Sequence, residues 1–539
     1  MVGKGARAWL PSNGLFFLTF AVLASYAFLT ILRSPVGPGQ DYNFHLFSAS
    51  IAARGWTGDP AISALYHTVN PLDCNTLLYA LLFPFVKLLG PVNGFKVGLG
   101  LTYFIGFPAA CAAALSLFRR PMWGALLAFP LCWVRTYSIG GFIPFVSAAP
   151  FFVLAIALFH RFMSDAAARD VTPIPRRTLV KRAAFAMLAC AAVFLAHAHV
   201  HGWLMVILAG ITLWAMGQAF LTALPFSPLG AVRASVMTGL RALLVVTPSL
   251  LLLASWWFRR AYGDHSVRPA PPLPSPDTAK EKLDFIIKAL VHIRHDDEYR
   301  WAAALIVVAL LGFLLSARSR ERLPTPELAF LLTIASCFLL PYTINTQGFG
   351  ARQIDLAQFL LPLVVFARAP ARAPARHGLI IVAIATFAFA RTAFFGKHMR
   401  ALQTEVVGLF DMAKPCPVST GELAYVTFGR EPETWLAESL HQSHETLAAL
   451  CEIDTPVYDS QVYPFSLQPV RYRGALPAPV TILTDVKAVW YRHPRLWDDF
   501  DVVLVRNWNP TPEDLAEASV SADRIRISGT WQLWQRKKR

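Results

Sequence analysis

Asp41 and His45 lie four residues apart in GPGQDYNFHLFSASIAARGW, residues 37–56, directly after the first long apolar run. Gly37, Pro38 and Gly39 end the preceding structure, which leaves Asp41 placed to cap a helix from Tyr42 to about Arg54, closed by Gly55. At helical spacing Phe44, Phe47 and Ile51 form one stripe, and Asp41, His45 and Ser48 form another. The pattern predicts an amphipathic helix, apolar face down on a membrane and polar face towards whatever sits above. A carboxylate held there could take a proton from a hydroxyl, and an imidazole one turn on could orient it. The local alternative is that Asp41 only caps its helix and His45 is only an interfacial polar residue.

Two further stretches carry comparable chemistry. In AHAHVHGW, 196–203, His197 and His201 are four apart and share a helix face, whereas His199 points elsewhere unless the helix unwinds near Gly202. Ionisable groups at membrane depth are costly and usually line a cavity. The same spacing could hold a divalent metal, with Asp41, His197 and His201 as the candidate ligands. In TQGFGARQIDLAQF, 346–359, Arg352 stands in a Gly-rich loop before an apolar run and could clamp a phosphate, or simply pair with Asp355. Arg259 and Arg260 fall at an outer boundary, against the usual charge bias, and are further candidates for an anionic lipid ligand. The acidic cluster in HDDEYRW, 295–301, reads as a solvated loop.

The elements that must position these residues are membrane helices. Of 539 residues, 55% are hydrophobic and 15% charged. The mean hydropathy is +0.45, and soluble chains carry nearer about a quarter charged residues. The net charge of +16 suggests nucleic acid until its positives are located. They sit in short loops between apolar runs: Arg119-Arg120, Arg176-Arg177 with Lys181-Arg182, Arg318/Arg320/Arg322 and Arg368/Arg372/Arg376. That is the positive-inside pattern, so the surplus reports topology and lipid contact, and nucleic acid is not a partner. Runs long enough to span occur at about 14–33, 95–117, 121–136, 142–162, 183–201, 203–221, 240–258, 300–316, 327–343, 355–368 and 377–396. The first is too long for a signal peptide and lacks a cleavage site, so it reads as an uncleaved span. The segment 76–90 is short and contains Pro84 and Lys87, which favours a helix lying along or dipping into the outer face. With the N-terminus cytoplasmic, the basic loops fall inside; loops 34–94, 259–300 and 343–354 and the C-terminal region fall outside.

From about residue 397 the runs become short and mixed. FDVVLVRNW and GTWQLWQRK read as strands, and EPETWLAESLHQSHETLAALCE as a helix. The expected division is a membrane domain, 1–396, with juxtamembrane helices in loop 34–94, and a small extracytoplasmic α/β domain, 397–539. Cys416 and Cys451 could pair there if the compartment is oxidising. No Walker-type Gly-rich loop is present, which argues against an ATP-driven pump.

This layout resembles the GT-C superfamily of membrane glycosyltransferases. The resemblance is carried by GQDYNFHLFSA as the acidic first loop, by HTVNPLDCNTLLYALLFP as the following surface helices, and by the span 95–117 ending in Arg119-Arg120. It implies a polytopic fold of about 11 transmembrane helices, placed in a bacterial-type inner membrane. The implied activity is transfer of a sugar from a polyprenyl-phosphate-linked donor to an acceptor on the outer face. Asp41 would be the base, with His45 orienting it or joining a metal site. Arg352 would hold the donor phosphate, and the other partners would be membrane lipids. RTYSIGGF, 135–142, departs from the pattern, because many members carry a second acid in that loop. Its absence puts metal dependence in doubt. It also keeps open a non-catalytic envelope-assembly scaffold, beside a transporter or flippase of a lipid-linked or small polar substrate.

Overall fold

The computed structural model describes residues 13–34, 36–39, 41–68, 73–134, 141–168, 174–263, 324–339, 350–365, 374–413 and 501–537, with shorter stretches between 137 and 497. Among these residues, seven helices are long and apolar enough to cross a membrane: Gly14–Leu32, Pro91–Leu117, Ile143–Ala167, Arg176–Ala196, Ala198–Ala223, Pro228–Phe258 and Ile380–Met412. Each satisfies its own backbone, which is what permits an apolar run to sit in hydrocarbon. Leu188, Leu213, Leu251 and Val382 are exposed on these helices, as side chains facing lipid would be. The chain is a polytopic helical membrane protein carrying a small C-terminal sheet.

Several expected spans are shorter than their apolar runs suggested. Met122–Leu131, Thr325–Leu339 and Gly350–Val364 occupy the positions expected to span at 121–136, 327–343 and 355–368. At about 1.5 Å per residue they reach only ~15–23 Å, short of a ~30 Å hydrocarbon core. Met122–Leu131 and Gly350–Val364 are packed into the bundle, where neighbouring protein takes the place of lipid, whereas Thr325–Leu339 buries one face and leaves Leu331 and Leu339 exposed. The expected span 300–316 and the strongly Pro-rich loop before it lie outside the described residues. The expected non-spanning segment is the short helix Leu77–Leu89, with Pro84 inside it.

Polar contacts sort the bundle into two ends. Arg120, almost wholly buried, donates through Nη1 to Leu363 O at 2.8 Å and through Nη2 to both carboxylate oxygens of Glu327 at 2.7 and 2.8 Å. Nearby, Asp165 pairs with both Arg161 and Arg182, and His160 hydrogen-bonds Thr325 Oγ1 at 2.7 Å. This is the basic end that the charge pattern placed on one side. The same helices run from it to the other end, where Asp41, Phe145, His197 and Arg352 lie. Gly350–Val364 has Arg352 at its start and Leu363 at its finish, while Arg176–Ala196 runs from Arg182 up to His197.

The C-terminal sheet sits at the Asp41 end. Its strands lie in the order Leu423–Thr427, Val502–Arg506, Trp531–Arg536 and Ala522–Ser528, the first pair parallel and the others antiparallel. Val502–Arg506 and Trp531–Arg536 are the two strands that the sequence marks. Leu423–Thr427 and the unit Pro512–Ser528, a helix capped by Thr511 and Asp514 followed directly by a strand, were not marked. The expected helix in 431–452 and both Cys416 and Cys451 lie outside the described residues. One helix, Pro374–Met412, runs unbroken past residue 396 and meets the sheet: Glu405 accepts from Arg506 Nε at 2.9 Å, and its backbone oxygen accepts from Trp531 Nε1 at 2.9 Å. A second tie joins the two regions, since Tyr66–Thr68 of the first loop pairs antiparallel with Val470–Tyr472.

Arg120→Met should destabilise the bundle by about 3 kcal/mol, the lower part of the range for breaking a buried pair, because Glu327 keeps some access to water. Thermal unfolding in detergent should show a lowered midpoint; an unchanged midpoint would mean the pair is not structural.

Candidate active site

Asp41 is fixed by two interlocking glycine turns. Gly39 has φ +101°, and a Cβ on it would lie 2.4 Å from Gly141 N. Gly141 has φ +64°, and a Cβ on it would lie 2.6 Å from Tyr42 N and 2.7 Å from Asp41 N. Only glycine serves both needs, a left-handed backbone and this closeness. The RTYSIGGF loop therefore contributes backbone packing rather than a second carboxylate. Tyr42 folds its ring over Gly37 and packs edge-on to Phe95 at 5.2 Å.

The helix Tyr42–Gly55 forms where the sequence places it, but two expectations about it are corrected. It is not amphipathic across a water boundary: Tyr42, Asn43, His45, Leu46, Phe47, Ser48 and Ile51 are all buried, because the first loop folds into the core and other elements cover its polar stripe. Nor does Asp41 act as a cap. It holds the N-cap position with φ −91° and ψ 6°, yet its side chain makes no capping hydrogen bond. Its charge instead acts on Tyr79 and on Arg352.

His45 and Tyr79 form a buried hydrogen bond, Nδ1 to Oη at 2.7 Å. Burial lowers the His45 pKa to about 3, so the ring is neutral at physiological pH. The Tyr79 hydroxyl is pushed well above its ordinary value, by burial first and by the Asp41 charge second. Tyr79 stands on the helix Leu77–Leu89, and nothing in its sequence context marks it apart from other apolar-helix tyrosines.

The histidine run is broken rather than helical at its first member. His197 has φ −165° and ψ 119°, ending Arg176–Ala196 and capping Ala198–Ala223. The unwinding falls at His197, not near Gly202 as expected. His197 and His201 consequently do not share a face. His197 packs edge-on to Phe145 at 5.4 Å and lies 6.2 Å from His199. His201, fully buried, packs on Phe194 at 5.4 Å instead. The neighbour of His197 is therefore His199, whose Nε2 accepts from Trp203 Nε1 at 2.8 Å.

Arg352 faces this pair, and its positive charge acts on both His197 and His199. Its guanidinium lies 4.5 Å from the centroid of the Phe142 ring, and Asp355, one turn along the helix, also acts on it. The buried atoms without a protein hydrogen-bond partner include Arg352 Nε and His197 Nδ1. Asp41, His45, His197 and Arg352 thus lie within electrostatic reach of one another, through Asp41–Arg352, His197–Arg352 and His197–His45. The side chains of Arg259 and Arg260 lie outside the described residues. The proposed Asp41–His197–His201 metal set does not fit this arrangement, since His201 faces away. Among the described residues, no group of three or more His, Cys, Asp or Glu is arranged to hold a metal.

No protein-family model and no curated protein sequence matches the chain. Its fold does match solved structures. The crystal structure of ArnT from Cupriavidus metallidurans bound to undecaprenyl phosphate aligns with a TM-score of 0.52 at 11% identity, covering 97% of this chain and 98% of that one. The apo structure of the same protein aligns with a TM-score of 0.51 at 13% identity and the same coverage. The fold is GT-C-like, as the first-loop layout implied, and the likeness extends through the C-terminal sheet.

Gly141→Ala should displace Asp41, because a methyl group at a left-handed position meets the Asp41–Tyr42 backbone. The expected result is a membrane-inserted protein with a thermal midpoint lowered by several degrees, and Gly202→Ala, in open space, should leave the midpoint unchanged. A second expectation concerns pH. A histidine kept neutral by burial contributes stability that is full above about 6.5, its unfolded value, and is lost as pH falls towards about 3. His45→Gln should therefore lose less stability than the unsubstituted chain between pH 7 and pH 5, measured as the shift in midpoint.

Proposed function

We propose that this GT-C-like chain is an integral membrane glycosyltransferase that moves a sugar from a polyprenyl-phosphate-linked donor to an acceptor on the extracytoplasmic face. The observation that carries the reading is that Asp41 is not used as a helix cap and stands close enough to Arg352 for their opposite charges to act on each other. A carboxylate and a guanidinium placed together match the two charges that glycosyl transfer from a phosphate must manage. The ArnT structure with undecaprenyl phosphate, on the same fold, supports the donor class.

The step follows from those groups. Asp41 takes the proton from the acceptor hydroxyl as its oxygen attacks the anomeric carbon of the sugar. The bond from that carbon to the phosphate oxygen breaks, and the electron pair leaves with polyprenyl phosphate. Arg352 stabilises the charge that grows on the phosphate, in a setting where burial strengthens the interaction. His45, neutral and held by Tyr79, keeps the polar stripe of the Asp41 helix in place. His197 and His199 wall the phosphate side.

On this reading the Asp41 end faces outward in a bacterial-type inner membrane, the basic end and the N-terminus face the cytoplasm, and the region from 397 onward is an extracytoplasmic domain. The strand pairing of Tyr66–Thr68 with Val470–Tyr472 supports placing that domain on the same side as the first loop.

Asp41→Asn should lower sugar transfer from an undecaprenyl-phosphate-linked donor by about 10²–10⁴-fold, the usual contribution of a general base. Arg352→Gln should lower it comparably and weaken undecaprenyl phosphate binding, while expression and membrane insertion persist in both. Full transfer by Asp41→Asn would sink the assignment. Proton-coupled solute uptake in vesicles, abolished by His197→Ala, would point to a transporter instead.

A further inference from the structure

The break at His197 strands backbone groups that a continuous helix would pair. In an unbroken helix the Ala198 N–H would reach residue 194, and the Leu195 carbonyl would receive the N–H of residue 199. Both lie beside the core, where an unmade hydrogen bond costs about 1–3 kcal/mol. Their partners come from a segment more than a hundred positions earlier in the chain. Asn75 Oδ1 accepts from Ala198 N–H at 3.1 Å, and Thr76 N–H donates to Leu195 O at 2.9 Å. The amide is itself held in place, since Cys74 Sγ donates to the same Oδ1 at 3.3 Å. The Thr76 hydroxyl donates to Asp73 O. Asn75 has φ +62°, a left-handed conformation that asparagine tolerates better than most residues.

We propose that Asn75 is a positioning residue for the donor-phosphate side of the site: by capping Ala198 it fixes the turn between the two spans, which holds His197 extended against Phe145 and, with His199, beside Arg352. Without the cap, the Ala198 N–H loses its acceptor and the turn between the two spans must shift to find another, which moves His197 off the site. The same strap reaches further along the loop. Tyr66–Thr68 is clasped by Val470–Tyr472, and Tyr79 holds His45, so the stretch 66–79 ties the C-terminal region, the helix break and the Asp41 helix together. The link to donor phosphate rests on the glycosyltransferase reading; the link to His197 does not.

The test uses the full chain in detergent, with diethyl pyrocarbonate labelling of histidines read by mass spectrometry. Asn75→Gly keeps the left-handed backbone and removes the acceptor; Asn75→Asp keeps the acceptor. His197 labelling should rise about fivefold in Asn75→Gly, the factor expected for losing about one hydrogen bond, and stay at the original rate in Asn75→Asp. His160, at the opposite end of the bundle, serves as the control and should not change. The dissociation constant for undecaprenyl phosphate should rise about tenfold in Asn75→Gly. Unchanged His197 labelling in Asn75→Gly overturns the proposal, as does labelling of His197 and His160 rising together. If His197 responds as expected but the unsubstituted chain binds no undecaprenyl phosphate, the latch stands and the glycosyltransferase reading falls.

Discussion

In an apolar bundle every backbone polar group needs a partner from within the protein, and wherever a helix stops short the partner must come from somewhere else. That constraint shapes the whole Asp41 end of this molecule. At the His197 turn, Asn75 supplies an acceptor and Thr76 a donor from more than a hundred residues away. The two left-handed glycines, Gly39 and Gly141, allow backbones to approach where side chains would keep them apart. Between them, the cap and the glycine contact bring the first loop, the histidine run and the start of the Arg352 helix to one place.

The opposite end is governed by the same rule with charges in place of backbone groups. Buried Arg120 pairs both terminal guanidinium nitrogens, with Leu363 O and with Glu327, and Asp165 is shared by Arg161 and Arg182. These contacts join four helices, those carrying Glu327, Leu363, Asp165 and Arg182, far from the site. Membrane helices lack a hydrophobic drive to associate with one another, so van der Waals packing and such polar contacts hold them together. The C-terminal sheet joins through Glu405 and through one short strand pair, so it rests on the site end by both a helix and the first loop.

Much of this was legible in the chain itself. Hydrophobic run length marked most of the spans, and of the basic loops Arg119-Arg120 and the 176–182 stretch fall at one end of the bundle among the described residues. Gly37, Asp41 and Gly55 bounded the helix after the first span to within a residue, since turn and cap chemistry is local. Alternation and β-branched content marked Val502–Arg506 and Trp531–Arg536. The shortness of Thr325–Leu339 and Gly350–Val364 was not legible, because an apolar run looks the same whether protein or lipid covers it. The break at His197 was misplaced for a related reason: AHAHVHGW contains nothing locally helix-breaking before Gly202, and the group that caps the break belongs to another part of the chain.

The sequence by itself determined which groups could do chemistry at this site and on which side of the bundle they stand, because residue type, cap signals and charge bias act over a few positions. Tertiary structure decided which of them meet. It kept Asp41 from capping its helix and set it within electrostatic reach of Arg352, turned His201 away from His197, and brought in Tyr79 and Asn75, which no local signal distinguished. Those outcomes depend on hydrogen bonds and electrostatic contacts between residues remote in the chain, and such pairings are set by the packing of helices rather than by the composition of any one of them.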